Sequence, residues 1–232
     1  MPANEPLLLL PGLLCDRALW QYQVSALDEF ARPAVADLTR SDSIAGLARD
    51  VLAEAPERFA LAGLSMGGYV AFEIMRQAPG RVARLALLDT QARADTEASR
   101  ERRQALIRLS GRGQFKGVTP RLLPNLLHPD HIVTPLADIV TAMAERIGQA
   151  AFVRQQTAIM GRIDSRPGLA AIRVPTLVIC GAEDLLTPPA LAEEIAAGIP
   201  GADLLVVPHA GHLTPLEAPE AVNRAMIEWL SW

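Results

Sequence analysis

A short glycine-rich turn holds the residue with the clearest chemical potential, Ser65. It lies in a G-x-S-x-G pattern, Gly63 to Gly67, which follows an apolar run at 59–62 and precedes a helical pattern at 66–78. A tight strand-to-helix turn leaves no room for side chains two residues before and after the serine, which explains Gly63 and Gly67. The following helix points its free N–H groups at the serine, where negative charge develops during acyl transfer. A serine N-cap in a glycine-rich loop would give the same pattern, so partner residues must decide.

Two candidate partners follow apolar runs near the end of the chain. Asp184 comes after the run at 174–181, and His212 comes after the run at 204–208. Because the carboxyl ends of parallel strands lie at one edge of a sheet, both residues can meet Ser65 despite their separation in sequence.

The three residue types suit nucleophilic catalysis. A serine hydroxyl is a weak nucleophile at neutral pH and needs a base, and histidine has the intrinsic pKa for that task. A carboxylate on the other ring nitrogen holds the histidine in the required tautomer. The sequence therefore predicts Ser65 as nucleophile, His212 as base and Asp184 as its orienting acid.

The elements that must position these residues alternate between strands and helices. Such alternation predicts an α/β fold with a mostly parallel sheet of about six strands, flanked by helices. The predicted strands cover 7–10, 33–38, 59–62, 82–88, 174–181 and 204–208, and the predicted helices of the first part of the chain cover 17–30, 43–54 and 66–78.

The chain order of the three residues, serine then aspartate then histidine, resembles that of the α/β-hydrolase superfamily. The segment Leu7–Asp16, an apolar run ending in a turn, is similar to the superfamily's strand and oxyanion loop. The resemblance covers nearly the whole chain outside residues 92–166. It implies an oxyanion hole formed by the backbone N–H groups of Leu13 and Met66. Many members have His-Gly where this chain has Pro11-Gly12. The hydrogen bonds with which that histidine braces the loop are therefore absent here.

Two residues compete for the predicted roles. Asp89 ends the predicted strand 82–88, where some members of the superfamily keep the catalytic acid, so it is the alternative partner of His212. Asp184 is preferred because its Gly-x-x-Asp-x-x-Thr-Pro-Pro context matches the commoner pattern. His209 is interpreted as a loop hydrogen-bonding residue, because Gly-His followed by Pro-Leu-Glu resembles the family's motif at His212.

The segment 92–166 differs in pattern from the rest of the chain. It predicts helices over about 95–109, 120–127, 135–147 and 149–161, and it resembles the helical cap that many α/β-hydrolases insert after their sixth strand. We therefore divide the chain into a core, residues 1–91 and 167–232, and a cap, residues 92–166. A solvated helical decoration is the alternative interpretation of this segment.

Charge separates the cap from the core. Residues 91–166 carry 12 basic and 7 acidic side chains, a net charge of +5, whereas the remainder is net −9. This contrast either docks the cap or draws an anionic substrate into the cleft, with Arg154 and Arg162 as the candidate ligands. Trp20 and Tyr69, near the two oxyanion elements, are candidates to line the acyl pocket or else to pack in the core.

Composition predicts an ordinary cytoplasmic enzyme with no membrane or nucleic-acid partner. The sequence lacks an apolar run of transmembrane length and a signal-peptide pattern, and 22 basic against 26 acidic residues give no nucleic-acid signature. Cys15 and Cys180 do not make a disulfide framework, and Cys15 is interpreted as a packed loop residue. No His, Cys or carboxylate cluster, including His128 and His131, has metal-ligand spacing, so neither metal nor cofactor is expected. The oligomeric state is expected to be a monomer or a homodimer.

These features together predict a cofactor-free serine hydrolase that cleaves a carboxylic ester or lactone of a small molecule through an acyl-enzyme. The resemblance is to small capped bacterial esterases and enol-lactonase-like hydrolases. One alternative is carbon–carbon bond hydrolysis, or the related elimination of a menaquinone-pathway relative. A second alternative is a non-catalytic binding protein on the same fold.

Overall fold

A computed structural model describes residues 5–112 and 115–232 of the chain. Its centre is a six-stranded sheet, parallel throughout, with the strand order β2-β1-β3-β4-β5-β6. The predicted α/β fold with about six parallel strands is confirmed. The strands are β1 (Glu5–Leu10), β2 (Ala31–Val35), β3 (Phe59–Leu64), β4 (Val82–Leu88), β5 (Thr176–Gly181) and β6 (Asp203–Val207).

Helices cover both faces of the sheet, which explains why the central strands are continuous apolar runs rather than alternating ones. Every residue of β3 and β5 is buried. The helices are α1 (Gln21–Leu27), α2 (Ile44–Glu54), α3 (Met66–Gln77), α4 (Glu97–Ser110), α5 (Pro135–Met160), α6 (Pro189–Gly198), α7 (Thr214–Glu217) and α8 (Pro219–Leu230).

The apolar core has two parts, one on each face of the sheet. One part packs α1, α8 and side chains of the segment 92–166 against the sheet. The other part packs α2, α3 and α6 against the opposite face. Together they bury the sheet between two layers, so its carboxyl edge is a fixed platform for the loops that follow each strand.

Several predicted boundaries differ from the structure, and the larger differences have physical reasons. Strand β2 ends at Val35 rather than at residue 38, and it lies at the sheet edge, where Pro33 is tolerated without a backbone N–H. The predicted helix 17–30 is a 3-10 turn, Arg17–Trp20, followed by α1. The predicted helix 120–127 is only a 3-10 turn, Leu123–Asn125, because Pro124 supplies no N–H for a longer helix.

The segment 92–166 contains α4, α5 and two 3-10 turns, and no strand occurs in its described residues, which exclude 113 and 114. The two helices predicted over 135–147 and 149–161 are present as the two halves of α5, which breaks at Gly148. Gly148 has φ 74° and ψ 173° at that break, a conformation reserved almost entirely for glycine. No helix within the described parts of the chain has the length and apolarity needed to cross a membrane.

Candidate active site

Ser65 occupies a strained turn between β3 and α3. Its φ of 53° and ψ of −113° lie in a region that a residue with a side chain rarely adopts. The turn is held on both sides of the serine, since the Ser65 N–H donates to the Leu88 carbonyl at 3.0 Å and the Thr90 hydroxyl donates to the Ser65 carbonyl at 2.8 Å. This geometry raises the hydroxyl above the carboxyl edge of the sheet.

The glycines on either side of the serine are required by close backbone contacts. A Cβ atom at Gly63 would overlap the backbone of Gly67, and a Cβ atom at Gly67 would overlap the backbone of Leu10 in β1. The turn therefore packs directly against the strand that leads into the predicted oxyanion loop.

His212 joins Ser65 to Asp184. Its Nε2 atom lies 2.9 Å from Ser65 Oγ, and its Nδ1 atom lies 2.8 Å from Asp184 Oδ2. Asp184 also accepts hydrogen bonds from the Thr187 hydroxyl at 2.6 Å and from the N–H groups of Leu186 and Thr187 at 2.8 and 2.9 Å. The three side chains that sequence spacing predicted to meet thus form one hydrogen-bonded line at the strand ends.

Burial and the neighbouring charge have opposite effects on the pKa values of His212 and Asp184. Burial alone would lower the pKa of His212, but the charge and hydrogen bond of Asp184 outweigh it and raise the pKa above 6.5. Burial alone would raise the pKa of Asp184, but the interactions with His212 and Thr187 lower it below 3.8. The site therefore favours an ionised aspartate beside a histidine of increased basicity.

Asp89, the alternative acid, contacts other groups. Its Oδ1 accepts from the Gly181 N–H at 3.0 Å, and its Oδ2 accepts from the Thr214 hydroxyl at 2.6 Å and the Thr214 N–H at 3.2 Å. Burial, followed by the nearby charge of Asp184, raises the pKa of Asp89 to about 8. Asp89 thus links the end of β5 to the first residue of α7, whereas the carboxylate that accepts from His212 Nδ1 is that of Asp184.

The predicted oxyanion donors lie on the two backbone segments that meet at Ser65. Met66 is the first residue of α3, so its N–H has no carbonyl one turn earlier. The Leu13 N–H donates no hydrogen bond within the described residues. A Cβ atom on neighbouring Gly12 would lie 3.5 Å from the Cβ atom of Ser65, so the loop runs beside the serine.

Gln155 of α5 braces this loop, a role that sequence analysis missed. Its Oε1 accepts from the Leu14 N–H at 3.0 Å, and its Nε2 donates to the Leu38 carbonyl at 3.1 Å. The side chain is fully buried, and Leu14 has a positive φ of 59°. A glutamine in a helix carries no sequence signal for this contact, which depends on how α5 packs on the core.

Two of the residues expected to contact substrate have other surroundings. Trp20 is fully buried in the apolar core rather than on a pocket wall. Arg162 is buried with its Nη1 2.5 Å from Asp95 Oδ1 and its Nε 2.9 Å from the Arg93 carbonyl, and its guanidinium lies 4.4 Å from the centre of the Tyr69 ring. The Nε and Nη1 atoms of Arg162 thus donate within the segment 92–166, while its guanidinium contacts the Tyr69 ring of the core; a substrate contact of Arg162 stays a prediction.

Tyr69 of α3 forms the core side of this cation–π contact, and the residue is 7% exposed. The expectation that Tyr69 lines the acyl pocket stays a prediction. Arg154 is half-buried, and its Nε donates to the Thr39 carbonyl at 2.7 Å, in the loop after β2. A substrate contact of Arg154 stays a prediction.

Neither cysteine is arranged as a nucleophile. Cys15 is buried, and burial raises its pKa to about 12, so its thiol stays protonated at neutral pH. Burial also raises the pKa of Cys180, which lies in β5.

Side chains with metal-ligand chemistry also meet in a place that sequence spacing did not indicate. Ligand atoms of His128, Asp130 and His209 lie within 4.8 Å of one another. His128 and His209 come from segments about eighty positions apart, so only the tertiary structure brings them together.

The chain belongs to the alpha/beta hydrolase family, whose model matches residues 7–225. Among curated relatives, a protein of Azorhizobium caulinodans that carries the name carbamate hydrolase RutD is 31% identical, over 97% of this chain and 91% of that protein.

Solved structures of the same architecture match at similar identity. An esterase from Thermogutta terrifontis, described with malate bound, has a TM-score of 0.89 at 30% identity, covering 98% of this chain and 89% of its own. An enol-lactonase from Burkholderia xenovorans has a TM-score of 0.87 at 26% identity, covering 99% of this chain and 92% of its own. The resemblance to esterases and enol-lactonases that the motifs indicated is confirmed.

The substitution Arg162→Met tests the structural role of the buried Arg162–Asp95 pair. Removing one partner of a buried ion pair leaves Asp95 with less compensation, and we expect the free energy of unfolding to fall by about 3 kcal/mol or more. Arg146→Met is the matched control, because Arg146 pairs with Asp16 at 2.6 Å but is 53% exposed, and it should cost about 1 kcal/mol or less. Urea denaturation measures both. Equal losses of unfolding free energy in the two variants would contradict a structural role for the buried pair.

Proposed function

We propose that this protein is a serine hydrolase that cleaves a carboxylic ester or lactone of a small molecule. The observation that carries the proposal is the position of His212, 2.9 Å from Ser65 Oγ and 2.8 Å from Asp184. A base hydrogen-bonded to a nucleophile on one side and to a carboxylate on the other is the arrangement that activates a serine. A non-catalytic binding protein would not need a strained serine in this contact.

In the first half of the reaction, Ser65 Oγ attacks the substrate carbonyl carbon while His212 Nε2 takes the hydroxyl proton. The N–H groups of Leu13 and Met66 stabilise the oxyanion that forms on the carbonyl oxygen. The intermediate then collapses, His212 returns the proton to the leaving alcohol, and an acyl-enzyme remains. A water molecule, deprotonated by His212, releases the acid in the second half.

The names of similar proteins support an ester or lactone as substrate. The structural neighbours from Thermogutta and Burkholderia are an esterase and an enol-lactonase. The name carbamate hydrolase recurs among the curated relatives, so a carbamate is the second candidate, attacked at its carbonyl by the same serine. A screen of p-nitrophenyl esters, lactones and aryl carbamates ranks these classes by kcat/KM, whereas turnover confined to a carbon–carbon bond substrate would favour that alternative.

Ser65→Ala should keep the fold but lower kcat by about 10³-fold or more, because the residues of the triad act as a unit. A fluorophosphonate should add once to the parent chain, at Ser65, as measured by intact-mass and peptide mass spectrometry. Ser25→Ala, at an exposed position of α1, is the control and should keep both labelling and activity. Labelling elsewhere, or none at all, would refute the proposed nucleophile.

The rate should rise with pH as His212 loses its proton, because protonated imidazole cannot accept the proton of Ser65. Since the pKa of His212 is raised above 6.5, the midpoint of kcat/KM on a neutral ester should lie above that value. Asp184→Asn should reduce the rate and move the midpoint to lower pH, because the charge that most strongly opposes the effect of burial on the pKa of His212 is then removed. A flat profile from about pH 5 to about pH 9, with the fold intact by circular dichroism, would exclude a histidine base.

Gln155 acts in this proposal as a positioning residue for the oxyanion loop. Gln155→Met keeps the side-chain volume but leaves the buried N–H of Leu14 without its acceptor, so the Leu13 N–H beside it is less firmly held. Because small displacements of an oxyanion donor are costly, we expect kcat to fall about 10-fold or more with little change in KM.

The neighbouring residue supplies the control for Gln155. Gln156 is also buried in α5, but its Oε1 accepts from Arg103 rather than touching the oxyanion loop. Gln156→Met should lower the melting temperature comparably while leaving kcat near the parent value. If the two variants lose kcat equally, Gln155 only stabilises the fold.

A further inference from the structure

Three of the chain's four histidines lie close together, and one of them, His209, is three residues from His212. The ring centres of His128 and His209 are 5.6 Å apart, and those of His128 and His131 are 6.2 Å apart. We propose that His128, Asp130 and His209 form a binding site for a divalent transition-metal ion such as Zn²⁺.

The three side chains supply the kinds of ligand atom that a divalent transition-metal ion binds. Two imidazoles and one carboxylate suit zinc and neighbouring transition metals, and water can complete a four-coordinate shell. One ligand atom from each side chain lies within 4.8 Å of the other two, so modest rotamer changes bring all three to one ion. Asp130 and His209 are exposed and His128 is half-buried, so an ion and its water reach the site from solvent.

A second cluster of ligand types, formed by Asp89, Cys180 and Asp184, does not compete for this role. Both carboxylates already accept several hydrogen bonds from the protein, and all three residues are buried. Of these two clusters among the described residues, the one that contains two imidazoles is therefore open to a metal ion.

The two segments that supply the ligands are fixed to each other by protein contacts. The buried carboxylate of Glu217 accepts from the His128 N–H at 2.6 Å and from the Gly211 N–H at 3.0 Å. The His212 N–H donates to the Leu126 carbonyl at 3.0 Å. The ligands are thus partly preorganised, which lowers the conformational cost of binding an ion.

The location of the proposed metal site couples ion binding to the loop that carries His212. His128 and Asp130 belong to the segment 92–166, and His209 lies three residues before His212 in the loop that carries the proposed base. A bound ion joins these two segments and restrains the loop, so it stabilises the folded chain by mass action.

Isothermal titration of chelator-treated protein with Zn²⁺ tests the proposal without relying on hydrolysis. We expect one Zn²⁺ per chain, a melting temperature raised by about 5 °C or more at 100-fold excess over Kd, and a visible absorption band when Co²⁺ replaces Zn²⁺. Absence of binding would overturn the site, whatever the outcome for the proposed hydrolase activity.

Conservative variants identify the ligands. The Asp130 N–H donates to the His128 ring, and the side-chain oxygen of His128→Asn can accept that hydrogen bond in its place. Asparagine also suits position 209 in the His209→Asn variant, because it tolerates the positive φ of 56° found there. Each should weaken Zn²⁺ binding by about 10-fold or more and remove the Co²⁺ band. His131→Asn is the matched control and should leave both unchanged. Unweakened binding to the His128→Asn or His209→Asn chain, or an equal loss in the control, would overturn the ligand set.

Discussion

The backbone of Ser65 is held in a conformation that is unfavourable for a residue with a side chain, and the whole site depends on that constraint. The hydrogen bonds to Leu88 and Thr90 hold the turn from the β4 side, and the contact of Gly67 with Leu10 holds it from the β1 side. Each of these partners lies on or next to a buried strand. The sheet therefore supplies the rigidity that keeps a strained, half-buried serine at its edge.

Buried carboxylates organise the loops around that serine. Asp184 accepts from its own loop and from His212, and Asp89 joins the end of β5 to Thr214. Glu217 accepts N–H groups from both sides of His212, at Gly211 and Leu213. Each acid satisfies buried backbone donors that have no partner in a helix or strand. The loop geometry is consequently set by a few fully bonded side chains rather than by regular secondary structure.

The segment 92–166 contributes more than a cover over the sheet. Arg162 and Arg103 both pair with the buried Asp95, and Gln155 reaches the loop that carries the proposed oxyanion donor. Part of the positive charge of the segment is thus used internally. Helix α5 thus braces the proposed oxyanion loop, where Pro11 offers no hydrogen-bonding side chain.

The sequence alone determined the parallel α/β fold and the catalytic candidates, because both depend on local rules. Buried strands are continuous apolar runs, a tight turn needs Gly63 and Gly67, and the carboxyl ends of parallel strands meet at one edge. Only the tertiary structure decided which acid contacts His212, that Arg162 packs on Tyr69, and that Gln155 holds Leu14. The tertiary structure alone likewise brings His128 close to His209. These contacts join residues that are distant in the chain. The packing of the elements determines which residues meet, and it produces no periodic pattern in the sequence.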